Sequence, residues 1–238
     1  GLGKNFNLNR LERYLVMVNE SSIDPVLILT KTDLLNENDL DTIRAQVSKR
    51  FPRVLFYMMS NKTDEGLEEV RSLFKAKKTY CVIGISGVGK STLLNSLLGE
   101  EVLFTLPVRE SDGKGMHSTS WRELITLKNG AHVIDTPGMR ELGNLEADSG
   151  IQETFVDIHK ISQDCQYKDC THIETEGCAV KDAVDTGKLS SERYEHYVLL
   201  SKESQKQNKD AVDKLSKDRK SARFHRSLKF NQSKNTDQ

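Results

Sequence analysis

Apolar residues along this chain fall into two rhythms. Leu8, Leu11, Leu15 and Val18 recur every three or four positions and predict a helix over 8–19. Residues 39–50, stopped by Pro52, and the stretch from Leu67 to Lys75 read as further helices. Between them lie unbroken apolar runs, Val26 to Leu29, 54–59 and 79–85, each too short for a helix and each followed by polar turn residues. These are expected to be buried strands. A fourth helix is expected to start at Ser91 and close at Gly99. The segments WRELITL and AHVID, joined by Lys128-Asn129-Gly130, predict a hairpin. Strands alternating with helices predict an α/β fold with a mostly parallel sheet, the hairpin supplying an antiparallel edge. Residues 105–120 lack periodicity, and strand signals stop near residue 150. The expected division is one domain over 1–150 and a small helical domain over 151–238 with a charged tail.

Composition narrows this picture. The 36% apolar fraction supports a core, and the 29% charged fraction indicates much solvated helix. No run of eighteen apolar residues occurs, so no membrane-spanning helix is expected. The segment GLGKNFNLNR lacks the basic flank and apolar core of a signal peptide, so the protein is expected to be cytoplasmic. The net charge of zero conceals an asymmetry: residues 201–238 hold eleven Lys/Arg against five Asp/Glu, or +6. A basic end on an acidic body fits a polyanion such as RNA, while composition equally allows a solvated, disordered tail. Cys81 stands alone in an apolar run and is expected to be an ordinary buried strand residue.

Chemistry concentrates in four places. Gly84-x-x-x-x-Gly89-Lys90-Ser91 follows an apolar run and opens a helix, as a phosphate loop must. The backbone from Gly84 through Ser86, Gly87, Val88 and Gly89 would curl around a β-phosphate. Lys90 would supply a point charge, Ser91 a Mg²⁺ ligand, and Ser91 and Thr92 the helix N-terminus. Asp135-Thr136-Pro137-Gly138 lies 45 residues after Lys90; Asp135 would hold Mg²⁺ through water, and the Gly138 amide would reach the γ-phosphate. Thr30-Lys31-Thr32-Asp33 resembles the guanine-reading N-K-x-D of GTPases. There Asp33 would pair with guanine N1 and N2, the Lys31 stem would cover the base, and Thr30 stands where Asn is usual. Read alone, without the phosphate loop, it would rather be a strand-to-helix turn capped by Asp33. Ser60 and Asn61, after another strand, would place an amide on guanine O6. In an ordinary GTPase the phosphate loop comes first. Here the guanine-reading segments precede it, which is the order of a circular permutation.

Cys165-x₄-Cys170-x-His172-x₅-Cys178 supplies three thiolates and an imidazole, the donor count of a closed structural zinc site. With these motifs in place, the sequence resembles the ribosome small-subunit-dependent GTPases, the RsgA or YjeQ family. The resemblance is carried by FNLNRLERYL, LTKTDLL, GISGVGKSTLLN, GMHSTSWREL, DTPGMREL and CQYKDCTHIETEGCAVKDAV. It implies a GTPase that binds the small ribosomal subunit late in maturation and hydrolyses GTP in response, with GTP/GDP, Mg²⁺ and Zn²⁺ as cofactors. The implied partners are that subunit and its rRNA, with no membrane, and the expected state is a monomer. Lys217, Arg219, Lys220, Arg223, Arg226 and Lys229 would neutralise phosphates, and Phe224 and His225 would stack on bases.

Two departures stand out. The family's N-terminal oligonucleotide-binding barrel does not precede Gly1, and neither does a strand that normally sits centrally in the sheet. The expectation is a fragment or a sheet with a gap. Thr30 in place of Asn is the second departure. The residue after D-x-x-G, often a water-orienting Gln, is Met139, whose thioether cannot do that work. His117 in the polar stretch 113–120 is the expected substitute, although a solvated loop histidine reads the same way. Thr119 or its neighbour Ser118 would be the γ-phosphate-sensing Mg²⁺ ligand. The alternative functions are a GTP-switched rRNA-binding assembly factor with incidental hydrolysis, or an ATP-using P-loop enzyme.

Overall fold

The computed structural model describes residues 1–3, 6–100, 123–136, 147–173, 175–207 and 209. His117, Thr119, Gly138, Met139 and the basic residues from Lys217 onward lie outside them. The chain divides into two compact units, one of Gly1–Tyr14 and Ile23–Leu142, the other of Leu15–Ser22 and Gly143–Gln238.

In the first unit β1 (Val26–Thr30) runs parallel to β2 (Leu55–Met59), with α2 (Glu37–Arg50) between them in sequence. Asn36 starts α2, its side-chain oxygen accepting the Asp39 amide at 2.9 Å, which moves the start earlier than periodicity alone suggests. After α3 (Leu67–Leu73), β3 (Thr79–Val82) leads into the phosphate loop and α4 (Lys90–Leu98), which ends at Gly99 in the left-handed conformation, φ 74°. β4 (Glu123–Thr126) and β5 (His132–Asp135) form the expected antiparallel hairpin, and β5 also pairs parallel with β3. Among the described residues the strands form two ladders, β1–β2 and β3–β5–β4, with no hydrogen-bonded strand between them.

Met59, Val70, Phe74, Leu93, Leu94, Leu97 and Val133 interlock as one buried cluster against both ladders. Cys81 corrects an expectation. On β3, Tyr80 and Val82 pack on this cluster while the two-residue alternation turns Cys81 to the other face, where it is exposed. An apolar run cannot say which of its alternate positions faces a covered side.

The second unit holds α5 (Asp148–Thr154), α6 (Val156–Ser162), α7 (Ala179–Asp185) and a helix over 191–207, here α8. The helix α1 (Leu8–Glu20) has its first half assigned to the first unit and its last turns to the second. Its Val16 joins Ile151, Phe155, Ile158, Cys178, Val180 and Leu200 in the second unit's core. Glu20 receives hydrogen bonds from the Gly150 amide at 2.7 Å and the Ser149 hydroxyl at 2.8 Å, satisfying the first turn of α5. A Cβ at Gly150 would stand 2.1 Å from the Val16 carbonyl oxygen, so only glycine permits this approach.

Candidate nucleotide site and metal centre

Register gathers the nucleotide-site residues. Thr30 lies opposite Met59 at the ends of β1 and β2, and Val82 lies opposite Asp135 at the ends of β3 and β5. Thr30, Ser60, the phosphate loop and Asp135 therefore all leave carboxyl ends of parallel strands, where α/β sheets open a binding crevice.

Side chains then knit the loops together. The Ser60 hydroxyl, fully buried, donates to Asp33 Oδ1 at 2.5 Å and accepts the Lys62 amide at 3.1 Å. Asp33 is thus aimed while its carboxylate stays exposed to solvent. Lys31 sits in the left-handed region (φ 69°, ψ 43°), a conformation that costs a lysine on the order of 1 kcal/mol. Strain of that kind persists only where surrounding bonds enforce it. One such bond is the Thr30 hydroxyl donating to the Val88 carbonyl at 2.5 Å, a tether from the guanine-type segment to the phosphate loop. The hydroxyl in place of the usual amide therefore still spans the gap between loops.

In the phosphate loop Gly84, Gly87 and Gly89 all have positive φ. Lys90 folds back so that Nζ donates to the carbonyls of Gly84 at 3.0 Å and Ile85 at 3.3 Å. Burial holds its ammonium below the usual lysine range, against the pull of the Asp135 carboxylate. Thr136 donates to the Val82 carbonyl at 2.8 Å and fixes the end of β5 beside β3. A buried carboxylate, a hydroxyl at a helix start and an ammonium on one side of a glycine loop can hold a polyphosphate and a hard cation. The oxygen donors Ser91 and Asp135 suit Mg²⁺.

The second unit brings its donors together as closely. The ligand atoms of Cys165, Cys170, His172 and Cys178 all lie within 4.8 Å of one another. His172 Nδ1 is 3.6 Å from both Cys165 Sγ and Cys178 Sγ. A tetrahedral zinc ion with Zn–S of about 2.3 Å and Zn–N of about 2.0–2.1 Å requires an S···N edge of about 3.6 Å, so the donor set fits zinc. Nδ1 is then the metal-facing nitrogen.

His172 itself is held in the left-handed conformation (φ 61°), and Tyr194 on α8 donates to its carbonyl at 2.6 Å. Beside Tyr194, Arg193 makes two hydrogen bonds to Asp157, at 2.6 and 2.7 Å, and lies over the Phe155 ring at 4.9 Å. Burial alone would raise the Asp157 carboxyl, but the hydrogen bonds and charge of Arg193 hold it below its usual range. Sequence reasoning missed Tyr194, Arg193 and the reach of the Asn61 side chain. The first two lie in a charged helix whose only hint was the i, i+3 pair Tyr194 and Tyr197.

The sequence model of the RsgA GTPase family matches residues 2–145, and that of a 50S ribosome-binding GTPase family matches 79–215. The second match begins at β3, where an unpermuted GTPase would begin. A small ribosomal subunit biogenesis GTPase, RsgA 2 of Listeria monocytogenes, is 39% identical over 232 residues, covering 94% of this chain and 66% of the relative. The protein of the same name from Lactiplantibacillus plantarum is 43% identical over 202 residues, 85% of this chain and 56% of that one. Among solved structures, YloQ, a circularly permuted GTPase, superposes with TM-score 0.60 at 30% identity, covering 86% of this chain and 65% of its own. YjeQ from Thermotoga maritima gives 0.59 at 28%, covering 84% and 66%. The chain therefore spans less than two thirds of the length of these relatives. The fold is that of a circularly permuted GTPase, and with guanine-type segments ahead of the phosphate loop and a Cys₃His cluster behind it, the chain belongs to the RsgA GTPase family.

Proposed function

We propose that this chain is the catalytic part of a GTP hydrolase that acts in the cytoplasm during late maturation of the small ribosomal subunit and is stimulated by that subunit. The observation that carries the reading is the pair of bonds Ser60–Asp33 and Thr30–Val88, which aim a guanine-discriminating carboxylate and fasten its loop to the phosphate loop. An ATP-using enzyme has no need of such a carboxylate, since adenine lacks the adjacent N1 and N2 donors. One family description names the large ribosomal subunit; the named relatives, aligned over most of this chain, favour the small one.

In this reading Asp33 pairs with guanine N1 and N2, the Lys31 stem lies over the base, and the Ser60–Asn61 loop places an amide on O6. The amides of Gly84 to Lys90 and of Ser91 and Thr92 receive the phosphates. Lys90 then leaves its loop carbonyls for the β- and γ-oxygens. Ser91, Thr119 and, through water, Asp135 would hold Mg²⁺, which when bound neutralises charge on the β- and γ-phosphoryl oxygens. The Gly138 amide reaches the γ-phosphate, and His117 orients the attacking water. Cys165, Cys170, His172 and Cys178 hold a structural zinc with no open position. The basic segment from Lys217 to Lys229 touches rRNA.

Single-turnover GTP hydrolysis, with and without purified small subunits, tests this. The expected unstimulated rate is on the order of 10⁻⁴ s⁻¹, rising sharply with the subunit. An unchanged rate with demonstrable subunit binding would favour an rRNA-binding assembly factor whose hydrolysis is incidental. His117→Ala should abolish the stimulated rate while GTP still binds; an unaffected rate refutes that role.

A further inference from the structure

The Asn61 side chain does not stay with the base-side loop to which it belongs. Its Nδ2 donates to the Gly89 carbonyl of the phosphate loop at 3.2 Å. The assignment follows from chemistry, since a carbonyl only accepts and only the amide nitrogen can donate to it. The contact is made even though it leaves Asn61 Oδ1 buried with no hydrogen-bond partner among the described residues. It is also close-fitted: a Cβ on Gly89, whose φ is already 100°, would stand 2.8 Å from Asn61 Nδ2.

Thr30 holds the preceding carbonyl, Val88 O. Two consecutive peptide groups of the phosphate loop are thus gripped from two different base-side loops. A trans peptide points its C=O and N–H in opposite directions. Fixing Val88 C=O outward turns the Gly89 N–H inward, and fixing Gly89 C=O turns the Lys90 N–H inward. Gly89 O also accepts the first helical bond, from Leu93 N at 3.0 Å, so both of its lone pairs are used and the peptide has little freedom to rotate. Inward amides in successive residues form the anion-binding nest of a phosphate loop.

Resting on the guanine-nucleotide reading above, we infer that Asn61 is a positioning residue for the β-phosphate: its side chain sets the direction of the Lys90 amide and couples the base-side loop to the phosphate loop. Its contribution lies beyond the backbone amide through which this loop would read O6.

The test compares GDP with GMP, each measured by displacement of a fluorescent GDP analogue from the wild-type chain, Asn61→Ala and Asn61→Asp. Asn61→Ala should weaken GDP about three- to tenfold, the worth of one hydrogen bond, and GMP less than about twofold. Asn61→Asp keeps the shape and loses the donor, so its GDP loss should equal or exceed that of Asn61→Ala. An equal loss for GMP and GDP would place Asn61 on the base side alone and overturn the inference, as would unchanged GDP affinity. The affinity ratio is read only from folded protein that binds the analogue, so general destabilisation does not mimic the result. Failure of the wild-type chain to prefer the guanine analogue over its adenine counterpart would instead bring down the guanine-nucleotide reading itself.

Discussion

Removal of the zinc proposed for the Cys/His cluster should dissolve the loop over 163–177 and leave the helices around it standing. None of the described residues in that loop is buried; the nearest buried one is Cys178, at its end. Fixing the fourteen described residues of 163–177 costs on the order of 14 kcal/mol, at about 1 kcal/mol of backbone entropy each. The bonds from Gln166 N to Gly177 O, Cys170 N to Tyr167 O and Tyr194 Oη to His172 O together return about 3 kcal/mol. A structural zinc ion contributes about 10–16 kcal/mol, which closes the balance. The helices draw instead on Val16, Ile151, Phe155, Ile158, Val180 and Leu200, none of which is a metal ligand. The assay is amide hydrogen exchange read by mass spectrometry, before and after dialysis against a chelator, with zinc counted in parallel. Peptides from 163–177 should lose at least about 100-fold in protection, while those from α5, α6 and α8 lose little. The reasoning fails if the metal-free loop keeps its protection. It fails equally if the whole second unit exchanges together, which would make the metal part of the core.

Other outcomes follow from single side chains. Asp33→Asn should lower GDP affinity by at least about 100-fold and make xanthosine diphosphate the better ligand, because an amide can donate to the xanthine 2-oxo group; titration of both nucleotides checks this. Lys90→Ala should weaken GDP by about 10- to 100-fold in the same titration. The free protein should melt no lower, since burial already disfavours that ammonium. Asp157→Asn should cost about 1–2 kcal/mol in urea unfolding at neutral pH, a figure reduced for the half-exposed carboxylate. The folded Asp157 carboxyl is depressed below its ordinary value of 3.8, so its contribution is present above that pH and is lost as pH falls through the folded value. The difference between the two proteins should accordingly vanish in strongly acidic solution.

What could be read from the sequence was what residue type alone dictates. Glycines at 84, 87 and 89 mark a backbone with positive φ, and the structure places each there. The order of TKTD, SNK and GISGVGKST exposes the permutation without coordinates. The Cys/His spacing marks four donors whose ligand atoms the fold brings within 4.8 Å of one another. Long-range side-chain direction was not legible. Nothing local in SNK says that Asn61 turns toward Gly89, and nothing in an apolar tetrad says that Cys81 faces outward. Arg193 reads as one more solvent charge in a charged helix. Only the approach of Asp157 and Phe155 from 36 and 38 positions away makes it a buried anchor.

The same distinction explains how the loops can be reordered along the chain while the site survives. Each strand end delivers one loop, and parallel register, rather than sequence order, brings Thr30 level with Met59 and Val82 level with Asp135. The β1–β2 and β3–β5–β4 ladders share no backbone hydrogen bond among the described residues, so the sheet does not itself join the loops after β1 and β2 to the glycine loop after β3. Thr30 to Val88 and Asn61 to Gly89 do join them, and each spans at least 28 positions of sequence. Ser60 to Asp33 in turn ties the two base-side loops to each other across 27 positions. Where connectivity is free to change, the chemistry is preserved by the few side chains that fix one loop's peptide groups against another's. A search for permuted sites should therefore look for donors opposite phosphate-loop carbonyls rather than for motif order.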